Sequence, residues 1–259
     1  MVAETKSSRT RPLHRMFTAV PPRYDLINHV ITWGQDRRWR LRAARECLGP
    51  HPEKVLDLAC GTGDLAVAVA QLGEEGVKVI GLDYSLPMLE IATAKAYRLV
   101  RDKGVPFVYG DAGDLPFPDG CFDCVGISFA FRNLTYRNPL TARYLAEVLR
   151  VLRPDGRFVI VETSQPGNRL IRRLFHLYLR WFVFRLGYLL SGNRGAYYYL
   201  TESSAHFYSI DELHGLLLNA GFGRVSSRPM LFGAVAIHVA TKGDGPPRQD
   251  LGKGVTDAS

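Results

Sequence analysis

The chain has 259 residues, 46% of them hydrophobic and 22% charged, a balance that supports a sizeable globular core and excludes a fibrous or wholly disordered class. Its 33 Lys and Arg against 25 Asp and Glu give a formal charge of +8, which raises nucleic acid or an anionic membrane surface as a partner without excluding an ordinary basic enzyme. The four cysteines, Cys47, Cys60, Cys121 and Cys124, are too few and too scattered for a disulfide framework and fit a reducing, cytoplasmic setting.

Residues 1–11 are polar and basic and read as a disordered tail; no apolar run follows them, so no secretory leader is expected. Residues 12–52 form an N-terminal helical segment, with a helical pattern over 26–48 rich in Arg and Trp. Over 53–165, the cofactor-binding core, short apolar runs at 55–58, 77–83, 107–110, 122–129 and 157–163 alternate with helical patterns at 64–72, 86–101 and 139–152. That rhythm predicts an α/β fold of Rossmann-like, doubly wound type with a mostly parallel sheet. Residues 166–209 break it as a helical lid, 210–241 resume it with a helix and a strand at 234–240, and 242–259 read as a second tail. The lid's longest apolar stretch is interrupted by Arg180 and Arg185, so it does not read as a spanning helix.

The segment 57–64, Asp-Leu-Ala-Cys-Gly-Thr-Gly-Asp, follows the first strand and opens a helix. Asp57, Gly61 and Gly63 are candidates for a cofactor turn, because the backbone must approach a ligand closely where no side chain intervenes. The spacing also fits a dinucleotide binder, with Asp83 about 20 residues further on as a ribose-binding carboxylate. Two features separate the readings. Met88 and Leu89, just after Asp83, offer apolar contact to adenine, and Asp111 with Ala112 ends the third strand where a carboxylate can accept from the adenine amino group. A pyrophosphate binder does not need that last station. The three stations in this order resemble class I methyltransferases, which implies S-adenosylmethionine as cofactor.

Further blocks narrow the resemblance. Arg23-Tyr24-Asp25-Leu26-Ile27-Asn28, Trp33-Gly34, Trp39-Arg40, the run Ser128 to Asn133, Arg150 to Gly156, Tyr197 to Ser203 and Ala236-Ile237-His238 together resemble the ubiquinone/menaquinone biosynthesis C-methyltransferases (UbiE/MenG family). The resemblance implies methylation of a ring carbon of a prenylated quinol, demethylmenaquinol first and the benzoquinol precursor of ubiquinone as the alternative. It places Thr62, Asp83, Asp111, Ala112 and Ser128 at the cofactor, and Tyr24, Arg132, Tyr197 and Tyr199 at the acceptor. It also allows a homodimer. The chain departs from the family pattern at Asp155, Tyr136 and Phe207-Tyr208, of which Tyr136 bears most on the choice of quinone.

Carbon methylation requires an electron-rich ring carbon, a positioned pair of reactants and exclusion of water, and no metal. Arg132 at the end of the fourth strand is expected to hold the phenolate, since arginine stays protonated and cannot be the base. Asn133 would orient the hydroxyl. His206, Tyr24 and Tyr199 are the candidate bases. Cys121 and Cys124 have a redox or zinc spacing but no second pair, so no metal site is expected. The region 169–186 mixes arginines with large apolar residues, which suits a lid packed on the sheet and also peripheral contact with a membrane surface. A nucleic-acid methyltransferase would carry an Asn/Asp-Pro-Pro-Tyr block after the fourth strand, where this chain has Ser-Phe-Ala-Phe-Arg-Asn. A non-catalytic assembly subunit is disfavoured by the intact glycine turn and carboxylates.

Overall fold

The computed structural model describes residues 24–243. The first expected tail, Arg23 and residues 244–259 lie outside the described residues. Seven strands form one sheet: β1 (Lys54–Leu58), β2 (Lys78–Asp83), β3 (Phe107–Tyr109), β4 (Phe122–Ser128), β5 (Leu152–Thr163), β6 (Phe222–Met230) and β7 (Val235–Lys242). Their order is β3-β2-β1-β4-β5-β7-β6, with β1 to β5 parallel and β7 antiparallel to both β5 and β6. The chain reverses direction of winding between β1 and β4, and ligands bind at the carboxyl ends of strands beside such a switch point.

Alternate residues of the central strands serve two cores, as a sheet covered on both faces requires. Val55, Cys124, Val159 and Val161 pack on one face under α2 (Gln35–Leu48) and α3 (Asp64–Leu72). Leu56, Leu58, Val125, Phe158 and Ile160 pack on the other under α6 (Thr141–Val151) and α10 (Ile210–Asn219). Between these lie α4 (Leu86–Leu99) and the short α5 (Phe131–Thr135).

The helical pattern over 26–48 divides into α1 (Tyr24–Ile31) and α2. The break lies at Trp33 (φ 54°) and Gly34 (φ 71°), and Gly34 N donates to His29 O at 2.8 Å to close α1. The lid contains α7 (Arg169–Tyr178), a π-helical turn (Leu179–Val183), α8 (Phe184–Ser191) and α9 (Arg194–Ala205). Ile27 and Ile31 of α1 join Leu179, Val183 and Tyr197 in a third apolar cluster, so the N-terminal helix and the lid pack as one layer above the sheet's carboxyl edge.

Two expectations need correction. Lys242 belongs to β7, not to a tail: its Nζ donates to Leu149 O and Leu152 O at 2.7 and 2.6 Å. And β6 precedes the expected strand at 234–240. It is an edge strand with Pro229 and a register shift between Phe222 and Arg224, so its buried residues lose the two-residue period that marks a strand.

Candidate active site

A cavity of about 1180 Å³ lies between the carboxyl ends of β1, β2 and β4 and the layer formed by α1 and the lid. Single-ligand pockets run roughly 300–1,000 Å³, so this one has room for two reactants. Ala59 (φ 51°) and Phe129 (φ 54°), which directly follow the two switch-point strands, both line it. Left-handed backbone in residues other than glycine marks places where geometry is held against local preference.

One end of the cavity is built from β1, β2 and the loop after β3. Gly61 (φ 54°) lines it, and a methyl group added there would meet nothing within 4 Å. Asp83 Oδ2 accepts from Gly61 N at 2.8 Å and Oδ1 accepts from Ser85 N at 2.9 Å. Burial pushes the Asp83 carboxyl above its usual range, and the backbone donors of Gly61, Ser85 and Tyr84 oppose that shift. Met88 and Ala112 are buried and line the same wall, and Asp111 is held by Gly113 N at 2.8 Å. An open glycine turn, a half-buried carboxylate on the next strand, an apolar wall and a second carboxylate fit the ribose, adenine and amino acid parts of S-adenosylmethionine.

Not every residue of the turn faces the cavity. Gly63 (φ 78°) points into the protein, where a methyl group would lie 2.9 Å from Ala92 Cβ and 3.0 Å from the Phe107 ring. Its missing side chain lets α3 approach its neighbours. Asp57 caps α3: its Oδ2 accepts from Ala66 N at 2.8 Å, while Oδ1 is buried without a partner among the described residues and burial raises the carboxyl to about 8. Leu89 is buried and does not line the cavity.

Charged residues to which the sequence assigned no individual role tie this end to α1 and α2. Thr62 Oγ1 donates to Asp25 Oδ1 at 2.7 Å, and Lys95 Nζ bonds Asp25 Oδ2 at 2.7 Å and also pairs with Asp64. Arg40 Nε donates to Ser128 Oγ at 3.1 Å, its Nη1 pairs with Asp36 at 2.6 Å, and its guanidinium lies 5.4 Å from the centre of the Phe129 ring. Burial pushes Asp36 up, but the charge and bonds of Arg40, with bonds from Thr32 and His29, outweigh it and hold its carboxyl below the usual range.

The other end of the cavity is reached by Arg132 and Asn133 of α5. Arg132 is 4% exposed and Glu162, at the end of β5, is 0% exposed, so this is a buried ion pair. Glu162 Oε1 accepts from Arg132 Nη1 and Thr163 N, both at 2.8 Å, and Oε2 accepts from Arg132 N at 3.1 Å. Arg132 Nε and Asn133 Oδ1 are buried with no partner among the described residues. An acid inside the apolar run Phe158 to Val161 and its end was the available sequence sign of Glu162.

The remaining expected acceptor residues are not brought together. Tyr197 packs against Gly187, where a methyl group would lie 2.0 Å from its ring, and neither it nor Tyr199 lines the cavity. The Tyr199 hydroxyl is buried without a partner among the described residues; burial raises its pKa, Arg132 opposes and Glu162 adds to the rise, so the phenol keeps its proton. His206 is exposed at the end of α9, its Nδ1 donates to Glu202 O at 2.9 Å, and it does not line the cavity. Tyr24 opens α1, and its side chain lies outside the described residues. Among the described residues no His/Cys/Asp/Glu group is set to hold a metal.

This sheet order, switch-point cavity and set of carboxylates define an S-adenosylmethionine-dependent class I methyltransferase. A SAM-dependent methyltransferase structure from Aquifex aeolicus shares the fold, with a TM-score of 0.57 at 20% identity over 84% of this chain and 96% of that one. Residues 3–242 match the ubiE/COQ5 methyltransferase family, and the chain belongs to it. It is 42% identical to a demethylmenaquinone methyltransferase of Thermus thermophilus over 88% of this chain and the whole of that protein. It is also 36% identical to a ubiquinone/menaquinone biosynthesis C-methyltransferase UbiE of Geobacter sulfurreducens over 88% of this chain and 87% of that one.

Proposed function

We propose that this methyltransferase acts on a ring carbon of a prenylated quinol, with demethylmenaquinol as its acceptor. The observation that carries the reading is the pair of buried, unpartnered atoms Arg132 Nε and Asn133 Oδ1 on residues that line the cavity opposite the cofactor end. A buried donor and a buried acceptor left unmatched are costly, and a rotation of the two side chains toward the cavity they line would let one quinol hydroxyl accept from Nε and donate to Oδ1. The names of the Thermus and Geobacter relatives support the same class of acceptor.

S-adenosylmethionine supplies an electrophilic methyl group when bound. When the cofactor is bound, Asp83 would hold the ribose hydroxyls, Met88 and Ala112 would flank adenine, Asp111 would accept from its amino group, and Thr62 and Ser128 would border the amino acid part. Arg132 Nε stabilises the negative charge that develops as the acceptor hydroxyl gives up its proton to water, which places electron density on the ring carbon; the ring carbon's own proton leaves to water once the methyl group is attached. Glu162 positions Arg132 through its Nη1 and backbone N. His206 lies away from the cavity, so activation is assigned to stabilisation of the anion rather than to a side-chain base. The lid and α1 exclude water and offer apolar surface to the prenyl chain.

The Geobacter relative's name favours a benzoquinol as second acceptor. Purified protein given labelled S-adenosylmethionine and both reduced acceptors tests the choice: methylated naphthoquinol is expected in excess, and benzoquinol product alone would reverse the assignment. The protein is further proposed to work in the cytoplasm in peripheral contact with the membrane that holds its acceptor; among the described residues no helix is long and apolar enough to cross one.

A further inference from the structure

The lid helix α7 and the turn after it are apolar on two sides. One side, Phe175, Tyr178, Leu179 and Val183, faces the cavity and α1. A second stripe at helical spacing, Leu170, Leu174, Leu177 and Trp181, is 67%, 57%, 52% and 52% exposed. A lid needs only the first side. Beside the exposed stripe stand Arg169, Arg173 and Arg180, and the sequence has no Asp or Glu between Glu162 and Glu202 while it has six arginines there. All three stripe-side arginines are exposed.

Two turns present aromatic residues at the same opening. Trp33, 74% exposed, stacks on Phe182 at 5.7 Å, and Phe232, 81% exposed, is the middle residue of the turn (Leu231–Gly233) between β6 and β7. Both hold left-handed backbone, with φ of 54° and 55°, and both line the cavity together with Leu174. Large apolar side chains displayed to solvent on strained turns are not explained by packing.

We infer that this face, the Leu170 to Trp181 stripe with Trp33 and Phe232, seats the cavity mouth on an anionic lipid bilayer, so that the prenyl chain passes from membrane to active site without crossing water. The occupant is fixed by charge: a surface apolar in its centre, cationic at its margin and free of acids along the lid complements anionic headgroups over an acyl interior. The inference rests on the prenylated acceptor proposed above and adds where and how that acceptor enters.

The test is flotation of the full chain with phosphatidylcholine vesicles with and without phosphatidylglycerol, at low and high salt. Binding only to the anionic vesicles, weakening with salt, is expected, with a blue shift of tryptophan emission. Arg173→Glu with Arg180→Glu should weaken it at least about 25-fold, roughly fivefold per removed arginine, and Leu177→Ser with Trp181→Ser about tenfold. Neither pair lines the cavity, so turnover of a short-chain, water-soluble acceptor should match wild type, which also shows the variants fold. Failure to bind at low salt, or equal binding by the charge-reversed variant, would overturn the inference. So would a concentration-dependent dimer in sedimentation abolished by Leu177→Ser with Trp181→Ser, since the occupant would then be a second copy. Vesicle binding without methylation of any quinol would instead count against the proposed acceptor.

Discussion

Arg132 Nη1 lies 2.8 Å from Glu162 Oε1 with both side chains buried, so the arginine's charge is already matched before an acceptor arrives. Arg132 therefore offers the acceptor a directed N–H rather than a free charge. Arg132→Ala would strand a buried carboxylate and should cost about 3–5 kcal/mol of stability. Adding Glu162→Gln should recover part of that loss and none of the activity. Both variants are expected to lose turnover about 100-fold or more, with cofactor affinity within about twofold when it is measured by calorimetry on folded protein. Wild-type turnover in the double variant would remove Arg132 from the chemistry.

The two glycines of the turn should separate binding from stability. Gly61→Ala costs about 1–2 kcal/mol for its left-handed backbone and projects a methyl group into the cavity, so cofactor affinity should fall sharply. Gly63→Ala carries the same backbone cost plus about 1–3 kcal/mol of overpacking against Ala92 and Phe107. Urea melts and calorimetry on both variants check this; the reverse ranking of stability would refute the packing role of Gly63.

Opposite pH dependences should come from two buried groups. Asp57, raised to about 8 from 3.8, contributes stability that is full below about pH 4 and is lost as pH rises towards 8. Asp57→Asn should therefore gain stability relative to wild type across that window. His238 on β7, bonded to Ser227 Oγ at 2.8 Å, is lowered by burial, and secondarily by His214, to about 4 from 6.5. Its neutral form is favoured, so stability is lost as pH falls from 6.5 towards 4, by about 3 kcal/mol. His238→Gln should flatten that acid limb, and an unchanged limb would contradict the assignment.

The alternation of strands and helices was legible because strand and helix periods differ, and the glycine turn, Asp83 and Asp111, singled out in the sequence, stand together at one end of the cavity. What was not legible depended on partners distant in the chain. Glu162 is 30 residues from Arg132, and Lys95 is 70 from Asp25, and no local spacing announces either contact. The packing of Gly63 against Ala92 and Phe107 was hidden for the same reason. Tyr197 to Ser203 carried a resemblance, but its helix turns Tyr197 into the packing between α9 and α8. The edge strand β6 escaped because its bulge and Pro229 erase the alternation.

The Asp25 contact with Thr62 and Lys95 tethers α1 over the cofactor turn. Asp25→Ala should free that tether and speed both association and dissociation of cofactor, with a smaller change in Kd, as stopped-flow tryptophan fluorescence would record. Limited proteolysis should cut faster at the turn between α1 and α2. Unchanged rates of binding would mean that α1 does not gate the site.

The most direct measurement of the central claim is methyl transfer from isotopically labelled S-adenosylmethionine to reduced demethylmenaquinol, with the product's labelled position read by mass fragmentation and NMR. Label is expected on a ring carbon, formed from the reduced acceptor and not from the oxidised quinone. Label on oxygen, or equal methylation of the oxidised quinone, would contradict it.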